Sequence, residues 1–382
     1  MPTPGVKDVR IVHCFRSPVG GIFRHVRDLC EAQAAAGHKV GIICDSTTGG
    51  AFEDRLFQQI SGSLALGIER TPMQRHLGFG DLDSARRILR LVRSMQPDIL
   101  HGHGAKGGAY ARLFGTALKA RGRRVARFYS PHGGSLHYDK RSTAGHLFFM
   151  LEALMAPLTD YIFFVSEYEK RAFEEKVGQP RAPASVIYNG LRPEEFTPVP
   201  DASGAADFLY VGMMRDLKGP DLLLDALKEA ELRTGRKLSA VMVGDGRDRG
   251  KYEAQAAALC LSDRVAFRDA MPVRAAFSLG RIMVVPSRAE AMPYIVMEAL
   301  AAGKPVVATA VGGIPEIFGG SSPALVAPTV EALAGKMAAA LADEPAWRAL
   351  MPQYDALKAR FSVRVMTDRI AEAYQSVSTA ES

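Results

Sequence analysis

Tryptophan occurs once in the 382 residues and cysteine only four times. Cys14, Cys30, Cys44 and Cys260 form no CxxC pair and no metal-ligand spacing. The four read as small buried hydrophobes in a reducing compartment. No apolar run approaches the roughly 18 residues needed to span a bilayer. The nearest, Phe148-Phe149-Met150-Leu151, is broken by Glu152 and Asp160. The start of the chain lacks a basic-then-apolar signal pattern, so the protein is expected to be soluble and cytoplasmic. No DxD-type carboxylate pair falls in a loop suited to Mg²⁺, and neither a metal nor another cofactor is expected. The first glycine loop reads Val19-Gly20-Gly21-Ile22-Phe23-Arg24. That is not the G-x-G-x-x-G of a nicotinamide-dependent oxidoreductase. A basic face with aromatic platforms is also missing, which argues against nucleic acid as a partner.

What is present is globular composition: 47% apolar and 23% charged residues over a length that suits two domains better than one. The formal net charge is +7. Residues 1–190 carry 26 Lys and Arg against 17 Asp and Glu, an excess of nine; residues 191–382 carry 22 against 24. The positive balance belongs wholly to the first half, and such an excess suggests a polyanionic partner.

Short β-branched runs alternate with amphipathic helical stretches. Val9–His13 reads as a strand, then a loop with Gly20-Gly21, a helix from about Ile22 to Ala36, and a strand at Val40–Cys44. Further strands are expected at Ile99–His101, Val125–Phe128, Tyr161–Val165 and Ser185–Tyr188, with helices that include Leu82–Met95 and Gly107–Ala120. Residues 191–206, with three prolines, read as a linker. A second series follows, with strands at Phe208–Val211, Ala240–Val243, Val265–Phe267, Ile282–Val285 and Pro305–Ala308. Its helices are expected at Pro220–Glu231, Tyr252–Leu259, Pro293–Ala302, Val330–Ala342 and Val363–Gln375. The fold class is thus α/β, with two doubly wound parallel sheets that bind ligands at the carboxyl ends of their strands.

The densest chemistry lies in Pro286-Ser287-Arg288-Ala289-Glu290-Ala291-Met292-Pro293-Tyr294 and on to Glu298. A strand ends, a loop holds Glu290, and Pro293 suits the first turn of a helix. Free amides near Met292–Ile295 and the positive helix end make an anion site, flanked by two carboxylates able to accept from sugar hydroxyls. From spacing alone, the same residues equally suit a loop carboxylate and a solvent-facing helix glutamate. Arg215 and Lys218, in Gly212–Gly219 after another strand, are placed to neutralise phosphate, or form an ordinary solvated loop. Val243-Gly244-Asp245-Gly246 and Gly312-Gly313-Ile314-Pro315-Glu316 are further glycine turns at strand ends.

Taken together, PS-x-x-E-x7-E-A-L-A-x-G-K-P-V-V-A-T, the Arg/Lys-Gly loop, the VGDG turn and the GGIPE turn resemble glycosyltransferase family 4, of GT-B fold. The glycine loop before HVRDLCEAQAAAGHKV and the VIYNGL segment at Val186–Leu191 resemble that family too, so the similarity covers nearly the whole chain. The resemblance implies two Rossmann-like domains facing a central cleft. Residues 1–190 would bind the acceptor, 207–362 the nucleotide-diphosphate sugar, and a final helix at 363–382 would pack back on the first domain. It implies a retaining enzyme without a metal, in which the leaving phosphate accepts the acceptor's proton. Glu298 matches the glutamate that holds the ribose, Glu290 the one near the donor sugar, and Lys218 the phosphate-binding lysine. Gly20 and Gly21 match the loop approaching the phosphate, and His132 a histidine facing the sugar and the acceptor hydroxyl. Gly244, Met271 and Ala291–Tyr294 complete the expected donor contacts, the base lying near Arg268–Met271. The family's arginine after the strand-end glycine is replaced here by Met213, leaving Arg215 to supply that cation. His101 and His103, two apart and with no carboxylate partner, do not read as a zinc site.

The expected partners are a nucleotide sugar and a saccharide or lipid-linked acceptor. A relative with epimerase or phosphorylase chemistry, or a non-enzymatic polyanion-binding protein, are the alternatives. Arg112, Lys119, Arg121, Arg123, Arg124 and Arg127 form the densest basic cluster. They read as a solvated face or as a dock for the anionic inner face of the cytoplasmic membrane.

Overall fold

The computed structural model describes residues 8–74 and 80–380. The chain divides into two compact units. One ends at Gly190 and takes in the chain again from Val363; the other runs Leu191–Ser362.

Among the described residues, the first unit is built on β1 (Arg10–Phe15), β2 (Lys39–Asp45), β3 (Gly67–Thr71), β4 (Ile99–His103), β5 (Ala126–Ser130), β6 (Tyr161–Phe164) and β7 (Ala184–Val186). They form one parallel sheet in the order β3-β2-β1-β4-β5-β6-β7. Strands covered by helices on both faces read as unbroken apolar runs, and β1, β4 and β5 are buried almost throughout. The final helix, Val363–Ala380, belongs to this unit. Its Met366, Ile370, Ala373 and Tyr374 share a core with Ile11, Leu29, Ile99 and Phe128.

The second unit holds β8 (Ala206–Val211), β9 (Ala240–Val243), β10 (Val265–Arg268), β11 (Gly280–Val285), β12 (Val306–Thr309) and β13 (Leu325–Val326). They pair in the parallel order β10-β9-β8-β11-β12-β13. Residues 191–205 lie within this unit: Leu191 and Phe196 are buried, and the Leu191 amide donates to the Phe361 carbonyl at 2.6 Å.

Each sheet reverses its winding once, between β1 and β4 in the first unit and between β8 and β11 in the second. At such a switch point the connections leave to opposite faces and open a crevice beyond the strands' carboxyl ends. Both clusters of chemistry-bearing side chains lie at these two positions.

The basic cluster expected at one surface is dispersed. Arg112 is 1% exposed; it donates to Glu152 at 2.9 Å and lies 4.0 Å over the Tyr129 ring. Arg127 is bound to Asp160 at 2.6 and 2.9 Å, and Lys119 lies 3.7 Å from the same carboxylate. Carboxylates at positions 152 and 160, remote in sequence, have taken up these cations. Arg121, Arg123 and Arg124 remain exposed.

Candidate active site

In the second unit the loop after β8 carries Arg215 and Lys218, and the loop after β11 carries Ser287 and Glu290. The Lys218 ammonium donates to both Glu290 oxygens, at 2.6 and 2.7 Å, and the Ser287 hydroxyl donates to Oε1 at 2.7 Å. Thr309 on β12 in turn donates to the Ser287 carbonyl at 2.6 Å. Glu290 is 7% exposed and Glu298 8%, so neither is the solvent-facing carboxylate that spacing alone allowed. Lysine presents three N–H donors, and Glu290 uses two of them.

Glycines let the loops close on one another. Gly219 has φ +70°, and a Cβ there would lie 2.1 Å from the Pro286 carbonyl oxygen. Gly312, at φ +60°, presses still closer on the backbone of Glu290, where a Cβ would sit 1.7 Å from its oxygen. Both positions demand the left-handed region and the missing side chain at once. Gly244, after β9, abuts the Gly212 carbonyl, and its amide donates to the Arg268 carbonyl at 3.0 Å. The Ala270 amide donates to Asp245 at 3.2 Å, which ties the loop holding Met271 to the VGDG turn.

Ala291 and Met292 lead into the helix Tyr294–Ala301, with Pro293 as its extended N-cap rather than inside the first turn. Met292, Tyr294 and Glu298 are buried. The Arg215 Nε is buried and has no hydrogen-bond partner among the described residues. A guanidinium nitrogen left this way is suited to an oxyanion. Asp216 beside it is engaged by Lys251 at 2.5 Å and by the Tyr252 hydroxyl at 2.9 Å.

In the first unit the switch point holds imidazoles. Residues two apart on a strand share a face, so His101 and His103 of β4 point the same way. The parallel register sets His13 of β1 opposite His101. His25 comes from the helix Gly20–Ala35 after β1, and His132 follows β5. A hydrogen-bonded chain runs from Gln33 Oε1 to His13 Nε2 (2.8 Å), from His13 Nδ1 to His103 Nε2 (2.9 Å), and from His103 Nδ1 to His132 Nε2 (3.1 Å). His101 is held between Tyr374 and Ser130, and His25 Nδ1 lies 3.2 Å from Asn189 Oδ1. Burial pushes His13 down to about 4 and His132 to about 3, and holds His25, His101 and His103 well below the usual histidine range.

His132 has φ +52°, a strained conformation for a non-glycine residue and one that accumulates at functional sites. The buried Glu169 carboxylate holds the loop by accepting from the Gly133 amide and from Val165 at 2.8 Å; burial pushes its carboxyl up to about 7. Gly20 and Gly21 are exposed and form the first two residues of their helix, rather than a loop before it. His13, His25, Gln33 and Glu169 were not singled out by the sequence. The available signal was the register: a strand histidine whose neighbouring strand carries His-x-His.

Residues 19–195 match the model of Glycosyltransferase Family 4, and residues 192–355 that of Glycosyl transferases group 1. The chain is 27% identical over 305 residues to an uncharacterized glycosyltransferase of Methanocaldococcus jannaschii, 78% of each protein. Over 373 residues it is 28% identical to a D-inositol 3-phosphate glycosyltransferase of an Arthrobacter species, which covers 89% of this chain and 86% of that one. Among solved structures, Anabaena HepE in complex with UDP and glucose has a TM-score of 0.77 at 19% identity, covering 96% of this chain and 100% of the other. At that identity the likeness shows the fold. Between them the two family models run from residue 19 to residue 355, and the chain belongs to the family 4 glycosyltransferases of GT-B fold.

Proposed function

We propose that this glycosyltransferase moves a hexose-type sugar from a UDP- or GDP-linked donor to a saccharide or lipid-linked saccharide, with retention at the anomeric carbon. The observation that carries the donor half is the Lys218–Glu290 pair at the β8/β11 switch point, in loops locked together by Gly219 and Gly312. Lys218 keeps a third N–H for a diphosphate oxygen, Arg215 offers its partnerless Nε, and the amides opening the 294–301 helix add donors. Glu298 takes the ribose hydroxyls and Glu290 the sugar hydroxyls. The fold neighbour that binds UDP and glucose supports a nucleotide sugar as donor.

The acceptor hydroxyl attacks C1 on the face from which the diphosphate leaves. The C1–O bond to phosphate breaks, the new glycosidic bond forms, and the acceptor's proton passes to the departing phosphate oxygen. Preorganised cations and amides stabilise the charge that develops there, so no metal is assigned to the diphosphate. The first unit binds the acceptor, with His132 at its hydroxyl. Gly20 and Gly21 offer exposed amides at a helix start for a phosphate oxygen.

A lipid-linked acceptor has support in the same unit. The helix Thr143–Met155 exposes Leu147, Met150 and Leu154 along one side, and Arg121, Arg123 and Arg124 are free to meet anionic headgroups. Among the described residues no helix is long and apolar enough to cross a membrane, so the proposed attachment is peripheral, on the inner face. Donor turnover with UDP-glucose, UDP-galactose, UDP-GlcNAc and GDP-mannose tests the reading. One donor is expected to be consumed far faster than the rest; turnover of none of them, with no affinity for UDP or GDP, would reject it.

A further inference from the structure

The helix Glu167–Lys176 begins with Ser166-Glu167-Tyr168-Glu169, the spacing of a reciprocal cap in which the glutamate reaches back to the amide of the serine. Half of that cap is made: the Ser166 hydroxyl accepts from the Glu169 amide at 3.0 Å. The Glu169 side chain is used elsewhere. One oxygen accepts from the Val165 amide at 2.8 Å, just past β6, and the other from the Gly133 amide in the loop after β5.

We infer that Glu169 is a positioning residue for the transfer reaction: by holding the Gly133 amide from the end of β6, it keeps His132 in the backbone conformation that presents its ring to the acceptor. The inference rests on the reading of His132 as the residue at the acceptor hydroxyl.

The loop needs such a hold. His132 at φ +52° and Gly133 at φ +77° are consecutive left-handed residues, and the first has a side chain. Strain of this kind persists only where surrounding contacts over-determine it. The peptide plane between the two residues turns with ψ of His132, so fixing the direction of the Gly133 N–H fixes that angle. β5 and β6 are paired neighbours, which lets a carboxylate anchored at the end of one reach the loop of the other. The same helix grips the loop again from its last turn. Lys176 donates to the Leu136 carbonyl at 2.5 Å, and the Leu136 amide donates to the Gly133 carbonyl at 2.9 Å.

The choice of a carboxylate also has a reason. Glu169 is 1% exposed, and what opposes its burial is two amides rather than a cation. Only the ionised form offers an acceptor to both; the protonated acid turns an O–H toward one of them. Burial raises this carboxyl to about 7, so the tether loosens as pH falls through neutrality. The other titratable and charged groups on the elements around it are few. Tyr129 of β5 is held well above the tyrosine range by burial, and His132 is held down to about 3. Glu152 is paired with Arg112, His137 is exposed on the turn after the loop, and Lys176 is bound to Leu136.

The full chain labelled with ¹⁵N-glycine reports the tether without reference to activity. The Gly133 amide is expected to shift on acidification with a midpoint near pH 7, and to lose that titration in Glu169→Gln, whose side chain mimics the protonated acid. Initial rates are then compared with the donor selected in the screen. Glu169→Gln is expected to lower kcat by about 10-fold to 10²-fold with donor KM unchanged, and to lose the acidic limb of the wild-type pH profile. Combined with His132→Ala, it is expected to add nothing to the loss that His132→Ala causes alone. Three results would each overturn the inference and leave the glycosyltransferase reading in place: a Gly133 amide indifferent to pH, wild-type kcat in Glu169→Gln, or additive losses in the double variant. Unchanged turnover in His132→Ala removes the acceptor role of His132 and the inference with it. Where Glu169→Gln does not fold, the wild-type protein decides, and absence of either the amide titration or the acidic limb overturns the tether.

Discussion

Replacing Gly312 with alanine is expected to disturb Glu290 without touching any side chain of the site. Two costs are superposed there. The first is the left-handed backbone, φ +60°, which disfavours an L-residue by about 1–2 kcal/mol. The second is collision: the new Cβ falls 1.7 Å from the Glu290 carbonyl oxygen, where real Cβ atoms keep at least 3.0 Å. The obstacle is backbone, so the Glu290 loop itself must retreat by more than 1 Å. That displacement moves the carboxylate away from Lys218 and Ser287, charge-assisted contacts worth about 1.5–3 kcal/mol each. Misplacement by about 1 Å at a reacting centre commonly costs around 10²-fold in rate.

Gly204 supplies the control. It lies in the same unit at φ +78°, with nothing within 4 Å of a new Cβ, so Gly204→Ala carries the strain alone. Thermal melting and initial rates at saturating donor distinguish the two. Gly204→Ala should melt slightly early and turn over normally; Gly312→Ala should melt markedly earlier and lose about two orders of magnitude in kcat. If the two variants melt together and Gly312→Ala retains wild-type turnover, the close packing of these loops does not position Glu290.

Lys218→Ala is expected to lower the transfer rate by about 10²–10³-fold and weaken nucleoside diphosphate binding, as loss of a transition-state donor does. Arg215→Ala should weaken the same binding in calorimetry; an effect confined to the lysine variant removes Arg215 from the phosphate site. Arg112→Met strands the buried Glu152 carboxylate and should cost about 3–5 kcal/mol in denaturant unfolding, whereas a loss under about 1 kcal/mol contradicts a buried pair. Glutamine at Arg121, Arg123 and Arg124 together should leave that stability unchanged and reduce co-sedimentation with anionic vesicles. Sedimentation indifferent to anionic lipid in the wild type removes the proposed membrane surface.

The sheets were legible because buried parallel strands must be written as apolar runs, and β1, β2, β8, β9 and β11 are. The edges were not. β3 reads Gly-Ile-Glu-Arg-Thr, since it pairs only with β2 and its Glu69 faces solvent, and β13 is two residues long. Lys218 and Glu290 could be placed at strand ends from local pattern, but not placed together. They lie 72 residues apart, and their contact follows from β8 and β11 being neighbours, which pairing decides and spacing does not. The histidines show the same limit: His101 and His103 were visible as a pair two apart, but only the strand register sets His13 beside His101. Net charge misled for a related reason, because a count of cations does not reveal which have met a carboxylate.

The two switch points differ in kind, and the difference suits the proposed division of labour. At β8/β11 the groups are charged, and the proposed donor site would have to neutralise a diphosphate whose charge grows as the bond to sugar breaks. At β1/β4 five imidazoles are kept neutral by burial. A site for uncharged hydroxyls has no use for net charge, but it does need lone pairs and N–H groups fixed in direction. Gln33 and Asn189 provide that direction by accepting, Gln33 from His13 and Asn189 from His25. The positive excess of the first half is therefore not concentrated at its site. Part of it is consumed internally by Glu152 and Asp160, and what stays on the surface at 121–124 is available to an anionic partner.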